Sequence, residues 1–179
     1  MSRGEVQMKR LMTKLLNGKN NKLNGLIALA LVGMIVLGCN CNAENGFNFG
    51  EAKVPEEAEL RQLVQNTLRD FTQAIESENF TNFRATTSSQ FQKQFTKESL
   101  ESAFAVFIQK KDVVVPLLNS TARMQPVYSP APSVGRESFV QVLDVKGKYE
   151  TDPVPTNFKL RYLWEGDQWK IIEIVIELQ

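Results

Sequence analysis

Residues 158–171 read Phe158-Lys159-Leu160-Arg161-Tyr162-Leu163-Trp164-Glu165-Gly166-Asp167-Gln168-Trp169-Lys170-Ile171, and their alternation decides the fold. Phe158, Leu160, Tyr162 and Trp164 share one parity, with Lys159 and Arg161 on the other. A period of two predicts a half-buried strand over 157–164. Glu165-Gly166-Asp167 predicts a tight hairpin turn. Residues 168–178 then form a last strand with Ile172, Ile174, Ile176 and Leu178 on one face. Upstream, 138–149 alternates as well, with Phe139, Leu143, Val145 and Tyr149 sharing a parity. Residues 121–128 predict a further strand, ended by Pro126, Pro130 and Pro132 in a loop, and Val113-Val114-Val115 a short one stopped by Pro116.

The region before these strands has helical spacing. Leu60, Leu63, Val64, Thr67, Leu68, Phe71, Ala74 and Ile75 recur at steps of three and four, which is one stripe. Pro55 suits the first helical position, and Glu56, Glu57 and Glu59 suit the positive end of the helix dipole. Glu76-Ser77-Glu78-Asn79 ends this helix, and shorter pieces follow near 80–85 and 90–95. Thr96 reads as the cap of a helix over 97–111 with Leu100, Ala103, Phe104, Phe107 and Ile108 as its stripe. Seven of the 11 Phe fall between residues 71 and 107, so the helical layer is aromatic, and core packing is the first explanation. Helices followed by antiparallel strands predict an α+β domain.

That order, together with the Trp-bearing hairpin of 158–171, resembles the nuclear transport factor 2-like superfamily. The resemblance implies N-terminal helices packed on a curved antiparallel β-sheet, a cone, and a cystatin-like helix-on-sheet arrangement is the nearest alternative. It implies no single activity, because this fold carries enzymes, binders and assembly domains.

The first 38 residues differ from the rest. They hold six of the 21 Lys and Arg but one of the 20 Asp and Glu, which leaves 15 bases and 19 acids beyond them. The purely apolar run 26–37 follows the basic flank. Its 12 residues would span roughly 18 Å as a helix, short of a bilayer core of about 30 Å. A secretory signal fits better. Val36-Leu37-Gly38-Cys39 resembles the bacterial lipobox. The resemblance implies cleavage between Gly38 and Cys39 and acylation, including palmitate, of the Cys39 thiol and new N-terminus. It also implies export and a lipid anchor: on the periplasmic face of the outer membrane if the cell is Gram-negative, where Asn40 favours that membrane, or on the outer face of the cell membrane otherwise. An uncleaved signal anchor is the alternative. Residues 39–54, rich in Asn and Gly, read as a tether in which Cys41 has no assigned role, and 55–179 as one domain.

Catalytic signals are sparse. The chain has no His, hence none of the commonest general base and metal ligand. There is no Gly-rich phosphate loop, nucleophile elbow or metal-ligand spacing. Candidate acids are Asp112, Asp144 and Glu173, and candidate hydroxyl donors Tyr128, Tyr149 and Tyr162. None falls in a motif, and strand acids usually face solvent. No cofactor, metal or nucleic-acid partner is expected; Lys110-Lys111 suits a helix end better than a nucleic-acid patch. The expected function is a non-enzymatic, membrane-anchored envelope protein binding a small apolar ligand or a protein partner in the helix–sheet cleft. The alternatives are an isomerase- or dehydratase-like enzyme with a buried acid, and an envelope assembly module of the secretion-system type.

Overall fold

The computed structural model describes residues 27–29 and 52–178. The lipobox with Gly38 and Cys39, the leader apart from 27–29, and the tether as far as Glu51 lie outside the described residues. Helix α1 (Glu57–Ser77) buries Leu60, Val64, Leu68, Phe71, Ala74 and Ile75 of the stripe read from the sequence, with Leu63 and Thr67 partly buried. Glu56 is its N-cap, so Pro55 stands just before the helix rather than in its first turn. Its other end closes where Glu78 turns left-handed at φ 54° and the Asn79 N–H donates to the Ala74 carbonyl at 3.0 Å.

Five short helices follow: α2 (Thr81–Thr86), α3 (Ser89–Gln94), α4 (Lys97–Ala103), α5 (Ala105–Gln109) and α6 (Lys111–Ser120). Ser88 and Thr96 cap α3 and α4 by accepting hydrogen bonds from the Phe91 and Ser99 N–H groups. The single helix expected over 97–111 is thus divided at Phe104 and Lys110. The strand expected at Val113-Val114-Val115 is instead the start of α6, which continues through Pro116. A run of β-branched residues before proline favours a strand locally. Burial of Val114, Leu117 and Leu118, at helical spacing, against the core overrides that preference. Residues 121–128 are likewise not one strand. Thr121–Arg123 is a 3₁₀ turn, and only Val127–Tyr128 pairs.

The sheet comprises β1 (Ile27–Leu29), β2 (Val127–Tyr128), β3 (Ser133–Glu137), β4 (Val140–Tyr149), β5 (Thr156–Glu165) and β6 (Gln168–Leu178). All its pairings are antiparallel, in the order β1-β6-β5-β4-β2, with β3 also on β4. The protein is therefore α+β. The β5–β6 turn needs only Gly166 and Asp167, both at φ 59°, the conformation that matches the twist of the flanking strands. The β3–β4 turn uses Ser138 and Phe139, also at positive φ. Phe139 consequently leaves the core face expected for it and is 87% exposed. A bulge between Arg161 and Tyr162 shifts the β5–β6 register, pairing them with Glu173 and Ile171. Ile171 therefore joins Ile174, Ile176 and Leu178 in the main core. Ile172, expected beside them, packs with Val142 and Leu163 in a second cluster.

The helices cover one face of the sheet. There Phe71 meets Phe104 at 4.7 Å, Phe83 at 5.7 Å, Phe107 at 6.1 Å and Phe80 at 6.2 Å between ring centroids, all edge to face. The Ser88 N–H donates to the Ile171 carbonyl at 3.0 Å, so the α2–α3 junction satisfies part of the β6 edge.

Gly147 marks a close approach. A Cβ there would stand 2.6 Å from the Val127 carbonyl oxygen and 2.9 Å from Phe158 Cζ, whereas one at Gly135 would meet nothing within 4 Å. Gly147→Ala should destabilise the domain by about 1–3 kcal/mol through overpacking, and Gly135→Ala should stay within about 1 kcal/mol of the parent. Urea unfolding midpoints of the two variants check the difference.

Candidate functional site

The strands present two chemically different faces. Toward the helices, Leu143, Val145, Tyr149, Phe158, Leu160 and Tyr162 pack into the main core. A crevice between α3, α4 and β6, walled by Phe91, Phe95, Leu100, Phe104, Ile172 and Ile174 together with Glu173, measures about 10 Å³. That is room for at most one water molecule.

Tyr128, Tyr149 and Tyr162 all reach this side, with Tyr128 half-buried. The Tyr162 hydroxyl shares a 3.0 Å hydrogen bond with Thr67 Oγ1 of α1. The Tyr128 and Tyr149 hydroxyls are buried and have no hydrogen-bond partner among the described residues. Their rings flank Phe158, at centroid distances of 6.4 and 5.5 Å. Burial pushes Tyr128 up to about 12, against a smaller downward pull from Arg61. Burial also dominates the larger upward shifts of Tyr149 and Tyr162. All three are neutral hydroxyls at ordinary pH, able to donate a hydrogen bond but not to act as a base.

The opposite, outer face carries charge. Arg161 of β5 faces Asp144 of β4 and Glu173 of β6 in the strand register. Its Nε donates to Asp144 Oδ1 at 2.6 Å, another guanidinium nitrogen bonds Glu137, and Nη1 lies 3.7 Å from Glu173 Oε2. Glu173 is only 4% exposed and also accepts from Lys159 Nζ at 2.6 Å. Burial would lower the Arg161 pKa, but bonding to Asp144 and Glu137 outweighs it and raises the value. Three carboxylates thus converge on a guanidinium, and among the described residues no group of acids, Cys or His could hold a metal ion.

Beside this network the outer face sinks into a hollow of about 370 Å³. Its wall includes Lys146, Lys148, Asn157, Lys159, Ser129 and Glu177. Lys148 pairs with Glu150 at 2.6 Å.

The candidate acids are not brought together with the tyrosines. Asp112 is exposed on α6, and Asp144 and Glu173 are neutralised on the outer face. The alternation of 157–164 already put Lys159 and Arg161 outward. It gave no sign that they would meet Asp144 and Glu173, because that depends on the register between strands. The lysine hollow went unread for the same reason: Lys146 and Lys159 are 13 residues apart but directly opposed across β4 and β5.

Comparison with family models, curated proteins and solved structures finds no match for the chain.

The tyrosines give a pH signature. An unfolded tyrosine loses its proton near pH 10, whereas Tyr128 holds its proton to about 12 and the other two beyond. Stability should be complete below about pH 10 and fall as pH rises above it, where only the unfolded chain releases protons. These are the chain's three tyrosines. Absorbance at 295 nm should therefore stay flat through pH 10 and rise together with loss of the circular dichroism signal. Titration of all three near pH 10 with the fold intact would contradict their burial.

Proposed function

We propose that the protein is a lipid-anchored component of a bacterial cell envelope that acts by binding rather than by catalysis. The lipobox residues Val36-Leu37-Gly38-Cys39, behind a basic flank and a short apolar run, support acylation of Cys39 and cleavage after Gly38, which would remove β1 from the edge of β6 along with the leader. Two or three acyl chains would suffice as an anchor, each buried methylene contributing about 0.8 kcal/mol. Helices before strands and a Trp-bearing closing hairpin support a nuclear transport factor 2-like domain.

One observation carries the choice of binding surface: the hollow on the outer face measures about 370 Å³, while the crevice between the short helices and β6 measures about 10 Å³. An apolar ligand of ordinary size would need several hundred Å³ between helices and sheet. The outer face, with its Arg161 network and lysine-lined hollow, is the better surface for recognition.

Growth of the producing cell with labelled palmitate tests the anchor. The parent chain should carry label and sediment with membranes, and Cys39→Ala should lose the label and accumulate at its unprocessed mass. Undiminished labelling of Cys39→Ala would overturn the lipid anchor.

A further inference from the structure

We infer that the outer-face hollow is a binding site for a phosphate-bearing ligand. This rests on the reading above that the outer face is the recognition surface. Lys146 and Lys159 stand directly opposite each other across β4 and β5, and Lys148 is two residues further along the same face. Like charges directly opposed across strands are destabilising. Glu173 offsets Lys159 and Glu150 offsets Lys148, both at 2.6 Å. Lys146 is exposed and forms no ion pair among the described residues. Glu177, the one acid on the wall, is itself engaged in an interaction. The hollow therefore presents one uncommitted ammonium and two more that can swing toward an anion, with the Ser129 hydroxyl and Asn157 amide as neutral donors.

The donors suit a phosphate held by point charges. Planar, two-pronged recognition of a carboxylate or a phosphate belongs to arginine. The arginine at hand, Arg161, is already taken by Glu137, Asp144 and Glu173. What remains are lysines, point charges on flexible stems whose three donors can meet a tetrahedral oxyanion from any side. A volume of about 370 Å³ suits a headgroup or a small phosphorylated molecule.

The test uses the full chain, purified from membranes in a non-ionic detergent, titrated calorimetrically with inorganic pyrophosphate. The parent should bind saturably. Lys146→Glu should weaken binding by about ten-fold or more, because it sets a like charge against the ligand. Lys146→Gln should weaken it less, and Lys97→Glu, on α4, should leave it unchanged while altering net charge as much as Lys146→Glu. Circular dichroism checks that each variant is folded. Absence of binding to the folded parent, or equal weakening by Lys146→Glu and Lys97→Glu, would overturn the site. Competition by phosphatidylglycerol vesicles, against a phosphatidylcholine control, would assign the phosphate to a lipid headgroup. Lys146-dependent binding that such vesicles do not compete would assign it to a soluble molecule. A chain that is acylated at Cys39 yet binds no pyrophosphate would lose this site and keep its anchor.

Discussion

Phe71 of α1 touches the rings of Phe80, Phe83, Phe104 and Phe107, which belong to or border three other helical segments. Helices of five to seven residues have almost no stability of their own, since nucleation costs more than so few hydrogen bonds return. The segments α2 to α5 hold their shape because the phenylalanines within or beside them, Phe80, Phe83, Phe91, Phe104 and Phe107, are buried in the main core. The same cluster fills the space between helices and sheet. Rings and aliphatic chains pack tightly there, and the crevice beside Phe91, Phe95 and Phe104 is about the size of a water molecule.

That closure determines what the rest of the surface can do. Tyr128, Tyr149 and Tyr162, which on a strand pattern look like lining for a binding cleft, become parts of a packed wall. The Tyr128 and Tyr149 hydroxyls, without a hydrogen-bond partner among the described residues, are the cost of that position, and burial holds both protonated. The acids that could have served chemistry lie elsewhere. Asp144 and Glu173 face outward to Arg161 and Lys159, where they balance charge. The polar chemistry of the domain is thus concentrated on the outer face of β4, β5 and β6. A chain that beyond its first 38 residues carries 15 bases and 19 acids still gathers three lysines at one hollow there.

Sequence periodicity was informative wherever local preference and tertiary burial agree. The stripe of α1, the cap at Thr96 and the alternation of β5 all follow from neighbouring residues alone. It misled where they conflict. Val113-Val114-Val115 before Pro116 is locally a strand, yet Val114, Leu117 and Leu118 bury as a helix. Phe139 has the parity of a core residue but falls in a turn. Ile172 changes sides because of a bulge that no residue in the hairpin announces. Edge strand β3, Ser133–Glu137, has no apolar alternation to announce it, since its residues are mostly exposed. The outer-face site was illegible for a further reason. Its members are brought together by pairing between three strands, and pairing register is a property of the assembled sheet.

Hydrogen exchange of the full chain in detergent, followed by mass spectrometry, tests the closure of the interior most directly. If helices and sheet form one packed unit, the central amides of α1 around Phe71 and those of β5 around Leu160 exchange together, at the rate of global unfolding. Exchange of the α1 amides about a hundred-fold faster than those of β5 would mean that the helical layer lifts from the sheet on its own. The interior would then be an opening cleft, and the claim that it is closed would be wrong.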